Sequence, residues 1–325
     1  MQERLLEIQG LHLNYKVYEG YLKVLNGVEF NIDKGEKVGL IGESGCGKTT
    51  TMRSIMRTLP SNAVITAGKI LFKGKDILTA SMDEVQSLRR NNISMIFQDP
   101  TAALNPVFKI EEIFSDIIRF SVRTSSKKLT KDEIKLKAVE ALKAAALPDP
   151  ERILQNYPIQ LSGGMRQRVC IAMALISSND LLIADEPGTN LDVTIEDQIL
   201  RLLGNLVNER GTSIILISHA LGAVKGLVDR VYVMYAGNMV EVAKTDDLFS
   251  DPLHPYTSNL FKTVPKLTGG GIPEAIKGRI PDYFDPPKGC RFCPRCDHAM
   301  PICEKETPTF KDMGDKHEVA CFLYS

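Results

Sequence analysis

The absences in this sequence narrow it first. It has no charge surplus: 40 lysines and arginines balance 40 aspartates and glutamates. A nucleic-acid binder carries a basic excess, so no nucleic acid is expected as a partner. No run of about 18 apolar residues occurs, the length that a membrane-spanning helix needs. The opening MQERLLEIQG holds no apolar core of the kind a cleavable leader shows. These absences together predict a soluble chain in the cytoplasm. No long internal repeat and no long coiled coil is visible either. What remains is an ordinary globular composition, 43% hydrophobic and 25% charged over 325 residues. That suffices to bury a core, in one large domain or two modest ones.

Short apolar stretches between glycine turns fill the first 45 residues: LLEIQGLHLNY, VLNGVEFNI and EKVGLIG. They predict strands. From Thr49 the pattern turns helical in TTTMRSIMRTL, then returns to strand at GKILFKG and again at NISMIFQ. Residues 110–180 read as mostly helical, with a polar, lysine-rich stretch at VRTSSKKLTKDE. DLLIAD and TSIILIS are apolar without alternation, the pattern of strands buried on both faces of a parallel sheet. DRVYVMYAGNMVEVA predicts a hairpin turning at Gly237-Asn238. Beyond DPLHPYT the composition shifts. TGGGIP, residues 268–273, predicts a flexible joint, and the tail after it is rich in proline and cysteine.

Cysteine is unevenly spread. Cys46 and Cys170 stand alone, whereas Cys290, Cys293, Cys296, Cys303 and Cys321 crowd the last 36 residues. In a cytosolic chain such a cluster implies metal ligation before disulfides. Four thiolates suit an iron–sulfur cluster or a structural zinc.

GESGCGKT fits G-x-x-x-x-G-K-[ST] at Gly42, Gly47, Lys48 and Thr49, after a strand and at the start of a helix. Glycines let backbone N–H groups turn inward, and the helix start adds its positive dipole end. Lys48 reaches β- and γ-phosphates and Thr49 puts its hydroxyl on Mg²⁺ in such a loop. Ser44, Gly45, Cys46 and Thr50 complete the candidate phosphate contacts. LLIADEP ends a buried strand in two carboxylates, and an acid there is costly unless it meets a cation. Asp185 is the candidate for holding Mg²⁺ through its water shell, and Glu186 for polarising the attacking water. LSGGMRQR makes a second phosphate-binding helix start from Ser162, Gly163 and Gly164. One γ-phosphate needs one cradle, so the second suggests service to a partner's nucleotide.

These stretches, with Gln98 in MIFQDP, Asp192 in NLDVT and His219 in ISHA, resemble in order and spacing the ATP-binding subunit of an ABC transporter. They match its Walker A, Q-loop, signature, Walker B, D-loop and switch-histidine motifs. Within that family FQDPTAALNP, YPIQLSGGMRQR, VMYAGNMVE and PLHPYT before a Cys-rich tail resemble the dipeptide/oligopeptide importer ATPases. The resemblance implies an α/β fold: a P-loop NTPase core with an N-terminal antiparallel β part, a helical subdomain and a small Cys-rich extension. The corresponding segments are 1–98, 99–180, 181–250 and 251–325. It implies ATP with Mg²⁺, the ion held by Thr49 and Gln98, and hydrolysis assisted by Glu186, His219 and Gln98. Gln98 links the site to the helical subdomain that meets the membrane subunits. The nucleotide is sandwiched between Walker A of one subunit and Ser162, Gly163 and Gly164 of the other. Tyr15, with Tyr21 as runner-up, stacks on adenine.

The implied partners are two transmembrane permease subunits, a homologous second ATPase or a second copy of this chain, and indirectly an extracytoplasmic solute-binding protein. The implied place is the cytoplasmic face of the membrane, peripherally. The tail's Cys290, Cys296, Cys303 and Cys321 match the family's cysteine positions and imply a [4Fe–4S] cluster, with Zn²⁺ as the alternative. Cys293 is an extra thiol that also creates a C-x-x-C-x-x-C run, and His317, near the fourth Cys, reads as a surface residue, with a substitute ligand as the alternative. The tail lies far in sequence from the phosphate motifs, which implies a structural role. Four residues depart from the family pattern: Ile159, Gly188, Asn190 and Ala220. Two other readings remain. One is the same ATPase role in an oligosaccharide or nickel importer. The other is a DNA- or ribosome-associated ABC ATPase, which usually carries a long coiled coil or two cassettes in one chain. A regulatory nucleotide binder without turnover is disfavoured by the intact Glu186 and His219.

Overall fold

The structure, a computed structural model, describes residues 3–122, 129–176, 180–189, 191–263 and 276–325. In chain order it opens with β1 (Arg4–Val17), β2 (Gly20–Asp33), β3 (Lys37–Ile41), α1 (Lys48–Met56), β4 (Ala63–Phe72) and β5 (Lys75–Asp76). Next come α2 (Met82–Asn91), β6 (Ile93–Ile96), α3 (Pro100–Ala103), α4 (Ile110–Ser121), α5 (Lys131–Ala144), α6 (Pro150–Gln155) and α7 (Gly163–Ala174). Then follow β7 (Leu181–Asp185), α8 (Val193–Arg210), β8 (Ser213–Ile217), α9 (Leu221–Leu227), β9 (Arg230–Tyr235) and β10 (Asn238–Lys244). The chain closes with α10 (Thr245–Ser250), α11 (Pro255–Lys262), β11 (Lys311–Asp312) and β12 (Glu318–Val319). The expected TGGGIP joint, half of the lysine-rich stretch and Asn190 fall outside the described residues.

Two compact units emerge: Met1–Asp33, Lys37–Ala80 and His219–Ser325 form the first, and Lys34–Glu36 with Ser81–Ser218 the second. In the first unit, the alternation in β1 and β2 buries Leu6, Ile8, Leu11 and Leu13 against Leu25, Val28, Phe30 and Ile32. An antiparallel sheet ordered β2-β1-β4-β5 results, the N-terminal antiparallel part that the resemblance implies. The same unit runs β11-β12-β10-β9-β3 in a second sheet, with β3 parallel to β9. The expected hairpin is present, but it turns one residue early. Asn238 pairs with Tyr235, so the loop is Ala236-Gly237. Both loop residues have positive φ, 43° and 81°, as a tight hairpin with right-handed strand twist requires. Gly237 allows no side chain: an added Cβ would lie 1.8 Å from the Val24 carbonyl oxygen. Asn238 instead starts the strand, and its Nδ2 donates to the Asn26 carbonyl at 2.9 Å.

The C-terminal extension is part of this first unit. β12 pairs with β10, and His317 Nε2 lies 2.8 Å from Glu241 Oε1. Glu241 is fully buried, and its carboxylate also accepts the N–H groups of Leu253 and His254 at 2.7 and 3.0 Å. A buried carboxylate needs such partners, which is why His317 is buried here instead of lying on the surface as expected. His254 is buried too. Burial pushes its pKa down to about 3, and the neutral ring accepts the Tyr256 N–H.

In the second unit, β6, β7 and β8 are parallel and almost wholly buried, which the unbroken apolar runs of β7 and β8 predict. The expected helical stretch packs α4 to α7 around Phe114, Ile118, Leu142, Ile153 and Val169. α2 was not legible from periodicity, because only Val85 and Arg90 of it are buried. Its one sequence signal is the capping box of Ser81 with Glu84.

Candidate nucleotide site

In the first unit, β3 delivers its buried end to the loop Gly42–Gly47, and α1 starts at Lys48. Gly42, Gly45 and Gly47 have φ of 152°, 79° and 112°. A Cβ on Gly42 would lie 2.1 Å from the Met234 carbonyl oxygen, and one on Gly47 would lie 2.8 Å from Leu25 Cδ2. Glycine is therefore dictated by space as well as by φ. Gly47 gives α1 no side-chain cap, so the first-turn N–H groups face the loop as an anion cradle. Lys48 is buried, with Nζ 2.8 and 3.0 Å from the carbonyl oxygens of Gly42 and Glu43. Cys46 is fully buried, and burial pushes its thiol pKa up, so it packs as an apolar group. Ser44 and Gly45 form the exposed tip, and Thr49 and Thr50 are half-buried. The Tyr15 hydroxyl sits 3.3 Å from Thr50 Oγ1, which brings the expected aromatic to the helix that carries the expected phosphate contacts. Tyr21 is more open, at 47% exposure. His219 is exposed, just before α9.

In the second unit, Asp185 ends β7 and is 2% exposed. Glu186 has φ of 50°, and its N–H donates to the Ile217 carbonyl at 2.9 Å. Such backbone costs about 1–3 kcal/mol and persists where the surroundings over-determine it. Glu186 Oε2 accepts from Gln98 Nε2 at 2.6 Å and from Thr189 Oγ1 at 3.0 Å. Two candidates 88 positions apart thus share one hydrogen bond. Ser162 caps α7 by accepting the Met165 N–H at 3.3 Å. Gly163 and Gly164 form the first turn, and a Cβ on them would meet Leu191 Cδ2 at 3.2 Å and Ile195 Cγ2 at 3.0 Å. Asp192 caps the neighbouring α8 through the Ile195 N–H at 2.9 Å. Of the departures, Ile159 is 77% exposed, and a Cβ at Gly188 would meet the Glu196 side chain at 2.3 Å. No group assigned to the chemistry is displaced by either.

The tail thiols are all free, and Cys290, Cys293, Cys296, Cys303 and Cys321 line one cavity of about 20 Å³ beside His254 and Phe292. Burial pushes Cys290 up to about 11 and raises Cys293, Cys296 and Cys321. Among the described residues, no group of three or more His, Cys, Asp or Glu is arranged to hold a metal ion. Cysteine sulfur is a soft donor, of the chemistry that iron–sulfur clusters and zinc take.

Residues 25–189 match the ABC transporter family, and residues 240–303 match the C-terminal region of oligopeptide/dipeptide transporters. The dipeptide transport ATP-binding protein DppD of Bacillus subtilis (strain 168) is 44% identical over 99% of this chain and 95% of its own length. The oligopeptide transport ATP-binding protein OppD of Salmonella typhimurium (strain LT2) is 42% identical over 94% of this chain and 89% of its own. Among solved structures, a dimeric post-hydrolysis state of the ATP-binding cassette MJ0796, bound to ADP and Pi, superposes with a TM-score of 0.66. It is 27% identical and covers 74% of this chain and 99% of that one. The chain belongs to the ATP-binding proteins of the ABC transporter family, in its oligopeptide/dipeptide branch.

Proposed function

We propose that this chain hydrolyses ATP to power the import of peptides or similar solutes through a membrane ABC transporter. The observation that carries the ATPase half is Glu186, held in a left-handed backbone and bonded to Gln98 at 2.6 Å. The solute class rests on the full-length likeness to DppD and OppD. Lys48 and the start of α1 neutralise the phosphates, and Glu186 takes the proton of the attacking water. His219 contacts the γ-phosphate, and Tyr15 stacks on adenine. The hydroxyl of Thr49 in the first unit, and the amide oxygen of Gln98 and the carboxylate of Asp185 in the second, are each hard oxygen donors of the kind that Mg²⁺ takes. Mg²⁺ would supply charge neutralisation during phosphoryl transfer. ATP hydrolysis by the assembled complex, stimulated by a peptide-loaded binding protein, tests the whole reading. Stimulation by a sugar or nickel alone would reassign the solute.

The signature residues Ser162, Gly163 and Gly164 serve the nucleotide of a second ATPase, either a homologue or another copy. Replacing Gly164 by Val should lower turnover by about tenfold or more, equivalent to about 1.4 kcal/mol in the barrier. ATP affinity of the isolated chain should stay within about twofold, since that site is in trans. Loss of ATP binding by the isolated variant, with its melting temperature intact, would show that the cradle acts in cis. The chain docks on two permease subunits at the cytoplasmic face of the membrane.

Cys290, Cys296, Cys303 and Cys321 hold a [4Fe–4S] cluster on this reading, with Cys293 outside the ligand set. Anaerobically purified protein should be brown and contain iron and acid-labile sulfide. Alanine at any one of the four should bleach it, and Cys293→Ala should not. Colourless protein with stoichiometric zinc rejects the cluster and keeps the site. An essential Cys293 beside a dispensable Cys303 reassigns the ligands.

A further inference from the structure

The C-terminal extension touches the phosphate loop directly. Arg295 Nη1 and Nη2 lie 2.7 and 3.1 Å from the two carboxylate oxygens of Glu43, the second residue of GESGCGKT. The Arg295 side chain is 4% exposed, and that of Glu43 26%. The guanidinium is fixed on its other side by the Lys277 carbonyl at 2.7 Å, the Tyr235 hydroxyl at 3.2 Å and the Tyr235 ring. A two-pronged guanidinium–carboxylate pair of this kind, mostly out of water, fixes orientation as well as position. Tyr283 donates its hydroxyl to the Gly45 carbonyl at 2.8 Å, at the exposed tip of the loop. Tyr256, fully buried, accepts the Glu43 N–H at 2.8 Å. Arg291 donates to the Ala236 carbonyl at 2.5 Å, in the turn whose Gly237 N–H donates to the Cys46 carbonyl at 2.7 Å.

We infer that Arg295 and Tyr283 are positioning residues of the nucleotide site: the extension is a strut that holds the Glu43–Gly47 backbone ready for phosphate. Nothing in the phosphate chemistry itself needs Glu43, whose negative charge beside a polyphosphate is unfavourable unless a cation covers it. Arg295 is that cation. It also leaves the Lys48 charge available to phosphate, because a second fixed positive group answers the glutamate. A loop without the strut spends part of the binding free energy on ordering itself, so affinity falls by the fraction of chains in the competent shape. Arg295 ends a short helical turn, Cys293–Arg295, with Cys296 next in sequence.

This inference rests on the reading of Gly42–Thr50 as the nucleotide loop, and the experiment separates the two. The probe is Mg²⁺ with a non-hydrolysable ATP analogue, titrated by calorimetry against the full-length chain. Arg295→Met should raise Kd about tenfold and raise the ATPase KM similarly, with kcat falling less than about twofold, the signature of lost uniform binding. Arg295→Lys keeps the charge and loses the fork, and should recover part of the affinity. Glu43→Gln combined with Arg295→Met should be no weaker than the weaker single variant, because the two residues act as one unit. Tyr283→Phe removes one hydrogen bond and should raise Kd about threefold, and it keeps the test open if the arginine variant fails to fold. Unchanged Kd in both Arg295→Met and Tyr283→Phe, with only the melting temperature lowered, overturns the strut. Lys48→Ala is the control: normal binding by that variant overturns the loop reading itself, whatever Arg295 does.

Discussion

Glu186→Gln should reduce ATP hydrolysis by about 100-fold or more while leaving ATP binding intact, as expected when a general base is lost from an otherwise preserved site. The replacement keeps the shape of the side chain and an oxygen able to accept from Gln98 or Thr189, which hold Glu186 at 2.6 and 3.0 Å. It removes the negative charge proposed to take the proton of water. The positive φ of Glu186, 50°, is equally strained with either side chain, so the local backbone should not relax. With hydrolysis blocked and binding retained, ATP-bound chains should accumulate as closed dimers. Single-turnover phosphate release and size-exclusion profiles with and without Mg²⁺-ATP read both effects. Wild-type turnover in the variant would remove Glu186 from the mechanism. A loss of ATP affinity instead would assign it to binding.

Gly42→Ala should both unfold the loop and abolish nucleotide binding, at a cost of at least about 3 kcal/mol, which is the upper range for a single substitution. The added Cβ would stand 2.1 Å from the Met234 carbonyl oxygen and 2.9 Å from Cys46 Sγ. Met234 belongs to β9, which is paired to β3, so relief requires two backbones to part and not a side chain to swing. The φ of 152° at this position adds strain for any L side chain. Gly35→Ala makes a useful reference. Its φ of 77° is also left-handed, but a Cβ there meets nothing within 4 Å. That variant should lose only about 1 kcal/mol, the backbone cost alone. Urea denaturation of the two variants, with analogue titration of the folded fraction, measures the difference. Near-native stability and binding in Gly42→Ala would mean that β3 and β9 can slide.

Both effects depend on contacts of different reach, and reach decides what a sequence reveals. The phosphate loop was legible because its parts are consecutive: apolar strand, glycines, lysine, threonine, helix start. Ser162 was legible for the same reason, since a hydroxyl before two glycines and a helical run is a local cap. The parallel strands announced themselves by unbroken apolar runs, as burial on both faces demands. The hairpin was legible to within one residue; close packing of Gly237 against Val24, far away in sequence, set its register. α2 escaped because a helix with so few buried residues carries almost no periodic signal. His317 escaped because its burial is set by Glu241, 76 positions away.

Local order along the chain already specified the fold family, the glycine loop before α1, the carboxylates at and just after the end of β7 and the Ser162 turn, because each is a run of neighbours whose order dictates backbone geometry. Only the tertiary structure decided which distant groups meet: Gln98 on Glu186, the tail strand on β10, and Arg295 on Glu43 across 252 positions. An arginine among 40 basic residues facing 40 acidic ones does not name its partner. Packing does, by excluding water around that pair, whereas pairs left at the surface are solvated and weak.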